Sequence, residues 1–597
     1  MLYNRMSRRH FLQGAGGATL ALPFLPSLMS KAEAATLPSP KFMVAFWSGH
    51  GGIHIQNMSP VATNPAIASQ LQTSTLYAAQ SHNILSGKLV NLKSTRAANL
   101  PYLGTVLDGT IRPQGDGAPL TNSYAIDPQG NDFDAGAARV TPIVGSFVSD
   151  ALLNKMNLVA GLDYMYYSGH TWGALGNFCN YAGNNPTSPT ANSFTNVWVP
   201  SIDAVCAKYP GFYGTANPVA PSVMLNTYYL SAEDYGALLS KYPSSSGVVD
   251  NSFTPNNVGQ LFSLLFGNLV ANQNPVVAAK KGFILNKVHD DYTRVAKGAY
   301  GPGRRIGQAD RSRLEEFMAN LMSIIGGMTP SGACAIPSIS PTDTSSVFSA
   351  SGDATSAATF HLYNQLITAA FNCGLTQSFI VGMPSLFDVF VPSGSPGQTF
   401  TDGVTGPDSH QALFHEHNWA DRQPFMVKGH RYYFQYGFYD LMQQLDAVSA
   451  PQGGTLLDQA MMFWTHECGF NTHMGNGLPM IMAGGAGGFF KTGNYVDLRN
   501  ANAPIGQWSS IQGHVGVPYN RFLATALQAM GVPPTTYELS QSLFSGCTGR
   551  IPITSRGTVP GYGHPYQQSM YIGNTNTQAF LYDYQLNDMS VTLPIIT

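Results

Sequence analysis

The chain is 597 residues long, with 30 Lys+Arg against 32 Asp+Glu for a formal net charge of -2. Charged residues make up only 10% of it, far below the usual level of roughly a quarter. With no basic patch in view, this composition argues against nucleic acid as a partner. Apolar residues reach 44%, enough for a large core, while 62 Gly and 39 Pro, with many Asn, Ser, Thr and Gln, take the place of the missing charge. A surface hydrated by neutral polar groups suits an envelope or extracellular setting.

The first 34 residues predict an export signal. Ser7-Arg8-Arg9 precede Phe11-Leu12, a weakly apolar run from Gly14 to Leu28, and Ala32-Glu33-Ala34 as a small-residue cleavage site. This is the layout that twin-arginine export machinery reads through paired guanidinium groups, here Arg8 and Arg9. Pro23 and Pro26 break the apolar run, which is shorter than the roughly 20 apolar residues a spanning helix needs. No stable membrane span is expected after cleavage, and the expected location is periplasmic or extracellular. Because this route carries folded proteins, often with cofactors already inserted, it raises the expectation of a cofactor. The six cysteines are scattered without a C-x-x-C pair, which argues against zinc-ribbon, iron–sulfur and haem-attachment motifs. Disulfides are permitted outside the cytoplasm, but spacing does not reveal their pairing.

After the signal, "KFMVAFW" (41–47) predicts a buried strand running into a Gly-rich turn at Ser48-Gly49-His50. Residues 56–142 are polar and rich in Asn, Gly, Gln and Pro, and are expected to be loop and insertion. "MNLVAGL" (156–162) predicts a second strand, 201–209 a helix, and 221–226 a strand. Asp310 caps the clearest helix, with Leu314, Phe317, Leu321, Ile324 and Ile325 on one face and Gly326-Gly327 as its stop. Helix 358–374, strand 376–383, helix 432–448, strands 459–465 and 478–485, and helix 520–531 follow. "MAGGAGGFF" lacks the Lys of a phosphate-binding loop and predicts a turn. Apolar strands alternating with amphipathic helices predict an α/β class and a sandwich around a largely parallel sheet. One large domain over 35–535 is expected, with long Gly/Pro/Asn-rich loops and a tail at 536–597 that wraps the surface.

Polar residues gather at the carboxyl ends of the predicted strands, where an α/β sheet places its chemistry. "MMFWT" runs into His466-Glu467-Cys468, with His473 shortly after; "NLVAGL" runs into Asp163, Ser168 and His170. "DSHQALFHEHNW" (408–419) adds His410, His415, Glu416 and His417. Mixed imidazole and carboxylate sets suit zinc, manganese or iron. Each cluster alone also suits a plainer role, such as a hydrogen-bonded strand end or a solvated polar loop; their weight comes from occurring together. The candidate metal ligands are His410, His415, His466, Glu467 and His473, for one divalent transition metal, with zinc favoured. The candidate catalytic residues are His170, as acid–base group or further ligand, and Ser168, the one candidate nucleophile where no Ser, Thr or Cys at a helix start is identifiable.

The leader, "NLVAGLD", "SIDAV", the Asp310 helix, "HLYNQLITAAF", "GTLLDQAMMFW", "LPMIMAGGAGG" and "NRFLATALQAMGV" occur in that order. In this serial order the chain resembles a bacterial family of exported proteins of unknown function, known for an HXXSHH motif, over roughly residues 5 to 535. That family is related to the alkaline phosphatase and sulfatase superfamily of metal-dependent hydrolases. The resemblance implies an α/β/α sandwich of alkaline-phosphatase-like layout and hydrolysis of phosphate or sulfate esters. By it, His415 takes a motif histidine, His466-Glu467 stand where the superfamily has an Asp-His pair, and His473 stands for the distal His. Two departures are plain: Phe414 replaces the motif serine, and Trp47-Ser48-Gly49 occupy the place of a metal-binding Asp after the first strand. They open a second expectation, a non-catalytic envelope or extracellular protein that keeps the fold without metals and binds a glycan or a partner.

Overall fold

A computed structural model describes residues 40–48, 72–73, 88–96, 131–163, 201–214, 218–225, 241–244, 247–250, 255–271, 336–346, 354–383, 422–450, 453–466, 477–498, 506–508, 511–513, 517–537, 592–593 and 596–597, with isolated positions such as Asn57 and Leu413. The strands in chain order are β1 (Phe42–Ser48), β2 (Gln72–Thr73), β3 (Lys88–Asn91), β4 (Met156–Asp163), β5 (Val223–Leu225), β6 (Lys241–Ser244) and β7 (Gly247–Asp250). There follow β8 (Ser378–Met383), β9 (Ala460–His466), β10 (Leu478–Ala483), β11 (Asn494–Asp497), β12 (Gly506–Trp508), β13 (Ile511–Gly513) and β14 (Val517–Pro518). The principal helices are α1 (Ile202–Lys208), α2 (Val258–Ala271), α3 (Ala354–Asn372), α4 (Gln423–Tyr433), α5 (Asp440–Asp446), α6 (Leu456–Gln459) and α7 (Tyr519–Ala529).

One sheet dominates, in the order β2-β3-β11-β4-β10-β9-β1-β8-β5, with β14 also paired to β4. The ribbons β6–β7 and β12–β13 stand apart from it. Apolar runs make the central strands: every residue of β1, β4, β8 and β9 is buried. Strand alternation sends Phe42, Val44 and Phe46 into one core, with α2, α3, α4 and α5. It sends Met43, Ala45 and Trp47 into another, with α1 and α7. Helices therefore cover both faces, which is why these strands read as continuous apolar runs rather than alternating ones.

The class is α/β as expected, but the sheet is mixed rather than largely parallel. β1 is parallel to β8 and β9, and β4 is parallel to β11 and β14. β10 lies antiparallel between β9 and β4, and β3 is antiparallel to β11. The reason is the return from β9 to β10 over residues 467–477. A parallel neighbour needs a crossover of roughly a dozen residues or more, usually helical. The edge strands β2 and β3 come from the stretch expected to be loop and insertion.

Two helices stop in the same way. Gly374 takes φ +66° after α3, with Leu375 N donating to Ala370 O at 2.9 Å. Gly531 takes φ +83° after α7, with Val532 N donating to Leu527 O at 2.9 Å. Both are glycine stops that satisfy the last carbonyls. The predicted helix 432–448 is longer at its start: α4 begins at Gln423 and passes through a π-helical turn, Phe434–Tyr439, into α5. Buried Asn364 holds that turn, its Nδ2 donating to Gly437 O at 3.0 Å and Asp440 Oδ2 at 2.8 Å. The glycine-rich stretch after β10 is a turn, as its sequence predicts. Its backbone N–H groups bond backbone carbonyls, Ala486 to Ala460 at 2.9 Å and Gly487 to Asp458 at 2.8 Å. The Asp310 helix and the signal at 1–34 lie outside the described residues.

Candidate functional site

Because β1, β4, β8 and β9 all run the same way, Ser48, Asp163, Met383 and His466 end at one edge of the sheet. In the β1–β9 register Ser48 sits directly beside His466. Three of these strand ends are polar yet buried: Ser48, Asp163 and His466 are each at most 1% exposed. Asp163 Oδ1 accepts the Gly477 N–H at 2.6 Å, which fixes the start of β10 at that edge.

Trp464 and His466 are two apart on β9 and therefore share a face. On that face α4 places His430, fully buried. The three rings form a stack: His430 to His466 at 4.9 Å, Trp464 to His466 at 5.4 Å, and His430 to Trp464 at 5.8 Å. His430 Nδ1 lies 2.7 Å from Met426 O, one helical turn back, and its Nε2 lies 2.8 Å from His466 Nε2. Trp464 Nε1 donates to Ser48 Oγ at 2.8 Å, closing the chain back to β1. Burial pushes the pKa of His430 down to about 4, against the raising effect of its bond to Met426.

The neighbouring Arg431 holds α4 in position. Its guanidinium grips Asp134 with both nitrogens, Nη2 to Oδ1 at 2.7 Å and Nη1 to Oδ2 at 3.1 Å, while Nη1 also donates to Pro142 O at 2.9 Å. It lies over Phe147 at 5.0 Å and Phe133 at 5.5 Å. Arg139 joins the same carboxylate at 3.1 Å and also binds Asp132. Burial pushes Asp134 up, but hydrogen bonding and charge from Arg431 outweigh it and hold the carboxyl below the usual range.

Of the residues singled out in the sequence, His466 lies in this stack. Ser168, His170, His410, His415, Glu467, His473, Arg8 and Arg9 lie outside the described residues. Within "DSHQALFHEHNW" only Leu413 is described, and it is buried in the core that also holds Trp464. Among the described residues no group of three or more His, Cys, Asp or Glu side chains gathers as a metal cluster. The chemistry of His466 itself fits a ligand: it is a buried imidazole at the carboxyl edge, anchored through one ring nitrogen, as metal-binding histidines usually are. His430 was not anticipated, because the predicted helix began two residues after it. The apolar spacing of Met426, Tyr433 and Phe434 around it carries the signal for the longer helix.

No helix among the described residues is long and apolar enough to cross a membrane. No protein-family model matches the chain, and no match was found among curated proteins or solved structures.

Proposed function

We propose that this is a twin-arginine-exported, alkaline-phosphatase-like α/β/α protein that hydrolyses phosphate or sulfate esters with the help of a divalent transition metal, zinc above others. The observation that carries the reading is His466, a buried and anchored imidazole at the carboxyl edge of the sheet, where α/β folds concentrate their chemistry. His466, Glu467, His473, His410 and His415 would hold the metal, which when bound polarises ester oxygens and activates water or a hydroxyl. Ser168 and His170 are the proposed nucleophile and acid–base group. Export is supported by Cys373, which is disulfide-bonded, since such bonds persist in oxidising compartments.

The test is elemental analysis of protein purified from its native host, together with hydrolysis of aryl phosphate and aryl sulfate by native protein and His466→Ala. Bound zinc, manganese or iron, and ester turnover lost in the variant, are expected. Metal-free protein inert to both esters after zinc or manganese is supplied would overturn the reading. Replacing Arg8 and Arg9 with Lys should strand precursor in the cytoplasm, read by fractionation and blotting; normal export would refute the signal.

A second reading has an observation of its own. At the end of β1, where the superfamily has a metal-binding Asp, Ser48 accepts the Trp464 indole N–H in the buried stack. This residue serves packing, which favours an envelope protein that keeps the fold and binds a glycan or a partner without metal.

A further inference from the structure

We propose that Trp47 and Thr465 form a seat for one oxygen of a phosphate or sulfate group, on the opposite face of the sheet edge from the His430–His466 stack. Trp47 of β1 and Thr465 of β9 are partners in the parallel register, one residue before Ser48 and His466. Strand alternation turns the two rows to opposite faces. Trp47 packs with Met43, Ala45 and Phe463 under α1 and α7, and Thr465, two residues after Phe463, shares that face. Trp464 packs in the other core. The carboxyl edge therefore carries a polar pair on each face. On its other side Trp47 is paired with Gly382, so the indole stands between a residue without a side chain and a short one.

Among the described residues, neither Trp47 Nε1 nor Thr465 Oγ1 meets a hydrogen-bond partner, although Trp47 is only 3% exposed and Thr465 0%. A buried polar group without a partner costs stability. Here two of them stand side by side at the edge where α/β sheets bind their ligands. An indole N–H only donates, and a threonine hydroxyl can donate beside it. From neighbouring strands about 4.8 Å apart, the two can converge on one acceptor oxygen. Such bonds are strongest when that oxygen carries negative charge. The enclosure favours a compact tetrahedral head over a sugar ring. That the anion is the acid part of an ester rests on the hydrolase reading; the seat itself does not.

The test is isothermal titration of the full chain, as purified, with inorganic phosphate and with sulfate. Thr465→Val, Thr465→Ser and Trp47→Phe are titrated beside it, each checked for folding by circular dichroism. Val copies the shape of Thr without the hydroxyl, Ser keeps the hydroxyl, and Phe keeps a ring without the N–H. Affinity for the ion that wild type binds should fall roughly 10–100-fold in the Val and Phe variants. Ser should retain most of it. Wild type that binds neither ion overturns the proposal, as does unchanged affinity in Thr465→Val.

Urea unfolding separates a ligand from a partner built into the protein. An unmet hydroxyl adds nothing to the free fold, so Thr465→Val should keep or raise the urea midpoint when no anion is present. Added phosphate or sulfate should raise the wild-type midpoint more than that of the variant. A lowered midpoint with unchanged anion affinity would assign Thr465 to an internal water or protein acceptor and overturn the proposal. Hydrolysis of aryl phosphate and aryl sulfate separates the seat from the reading it serves. Anion affinity lost in the variants of a protein inert to both esters leaves the seat standing and removes the hydrolase reading. Ester turnover with an unchanged KM in Thr465→Val removes the seat and leaves the hydrolase reading.

Discussion

At Asp134 a carboxylate with no exposed side-chain surface is held by Arg431 and Arg139. Removing Arg431 leaves the buried charge to Arg139 alone, which Asp132 also engages. Arg431→Met should therefore destabilise the fold by about 3–5 kcal/mol, read from urea unfolding. It should also loosen α4 and with it the His430–His466 contact. The pH dependence follows from the lowered pKa of Asp134. An unfolded aspartate titrates near about 3.9, so the group contributes stability at neutral pH that is lost as pH falls through its lower folded value. Urea midpoints of the native chain should fall steeply below about pH 4, and Asp134→Asn should lack that share of the slope. A midpoint equally steep in the variant would assign the acid sensitivity elsewhere. At this scale the sequence exposed His466, because a polar residue ending an apolar strand is visible in one dimension. It did not expose His430, whose role depends on a helix folding back over a strand 36 positions away. Nor did it expose Asp134, since nothing local distinguishes a carboxylate that two arginines will enclose.

The central strands were legible because both faces are covered, leaving uninterrupted apolar runs such as "MNLVAGL" and "AMMFW". The direction of β10 was not, since an apolar run looks the same in either orientation and only the short return after β9 decides it. β3 was hidden for another reason: an edge strand of four residues in polar surroundings makes little hydrophobic pattern. The glycine stops allow a matched experiment. Gly374 needs positive φ and nothing lies near its missing Cβ, so Gly374→Ala should cost about 1 kcal/mol through backbone strain alone. Gly267, inside α2, also has open space around it but no positive φ. There Gly267→Ala should stabilise by about 0.5–1 kcal/mol. Opposite shifts in the urea midpoint are expected, and shifts of the same sign would show that packing rather than backbone conformation governs one of the two. Asn364→Ala, which strips a donor from the π turn, should cost about 1–3 kcal/mol and raise hydrogen exchange around Gly437.

Across the whole molecule, the last described residues are part of the core. Leu593 and Ile596 are buried beside α7. Leu593 N donates to Thr525 Oγ1 at 2.8 Å, Arg521 Nη2 to Thr592 O at 2.9 Å, and Lys491 N to Ile596 O at 2.8 Å. Thr592, Leu593 and Ile596 thus hold α7 and the segment before β11. Leu593→Ala should cost about 2–5 kcal/mol by urea unfolding, whereas a surface-wrapping tail would tolerate it with little change.

The placement of β1 sets a schedule for synthesis. Its neighbours on either side are β8 and β9, which begin at Ser378 and Ala460. At about 5–20 residues per second, a ribosome needs on the order of 20–80 s after finishing β1 to complete its second neighbour. Through that interval a strand of seven apolar-rich residues, made to be covered on both faces and both edges, waits with at least one edge unpaired. Nascent chains arrested just before residue 460 should therefore be aggregation-prone and heavily bound by holding chaperones. Chains released a little past β10 should shed them. Ribosome-arrested intermediates of graded length, probed by protease and by chaperone crosslinking, would show whether the change falls at β9 as this topology requires.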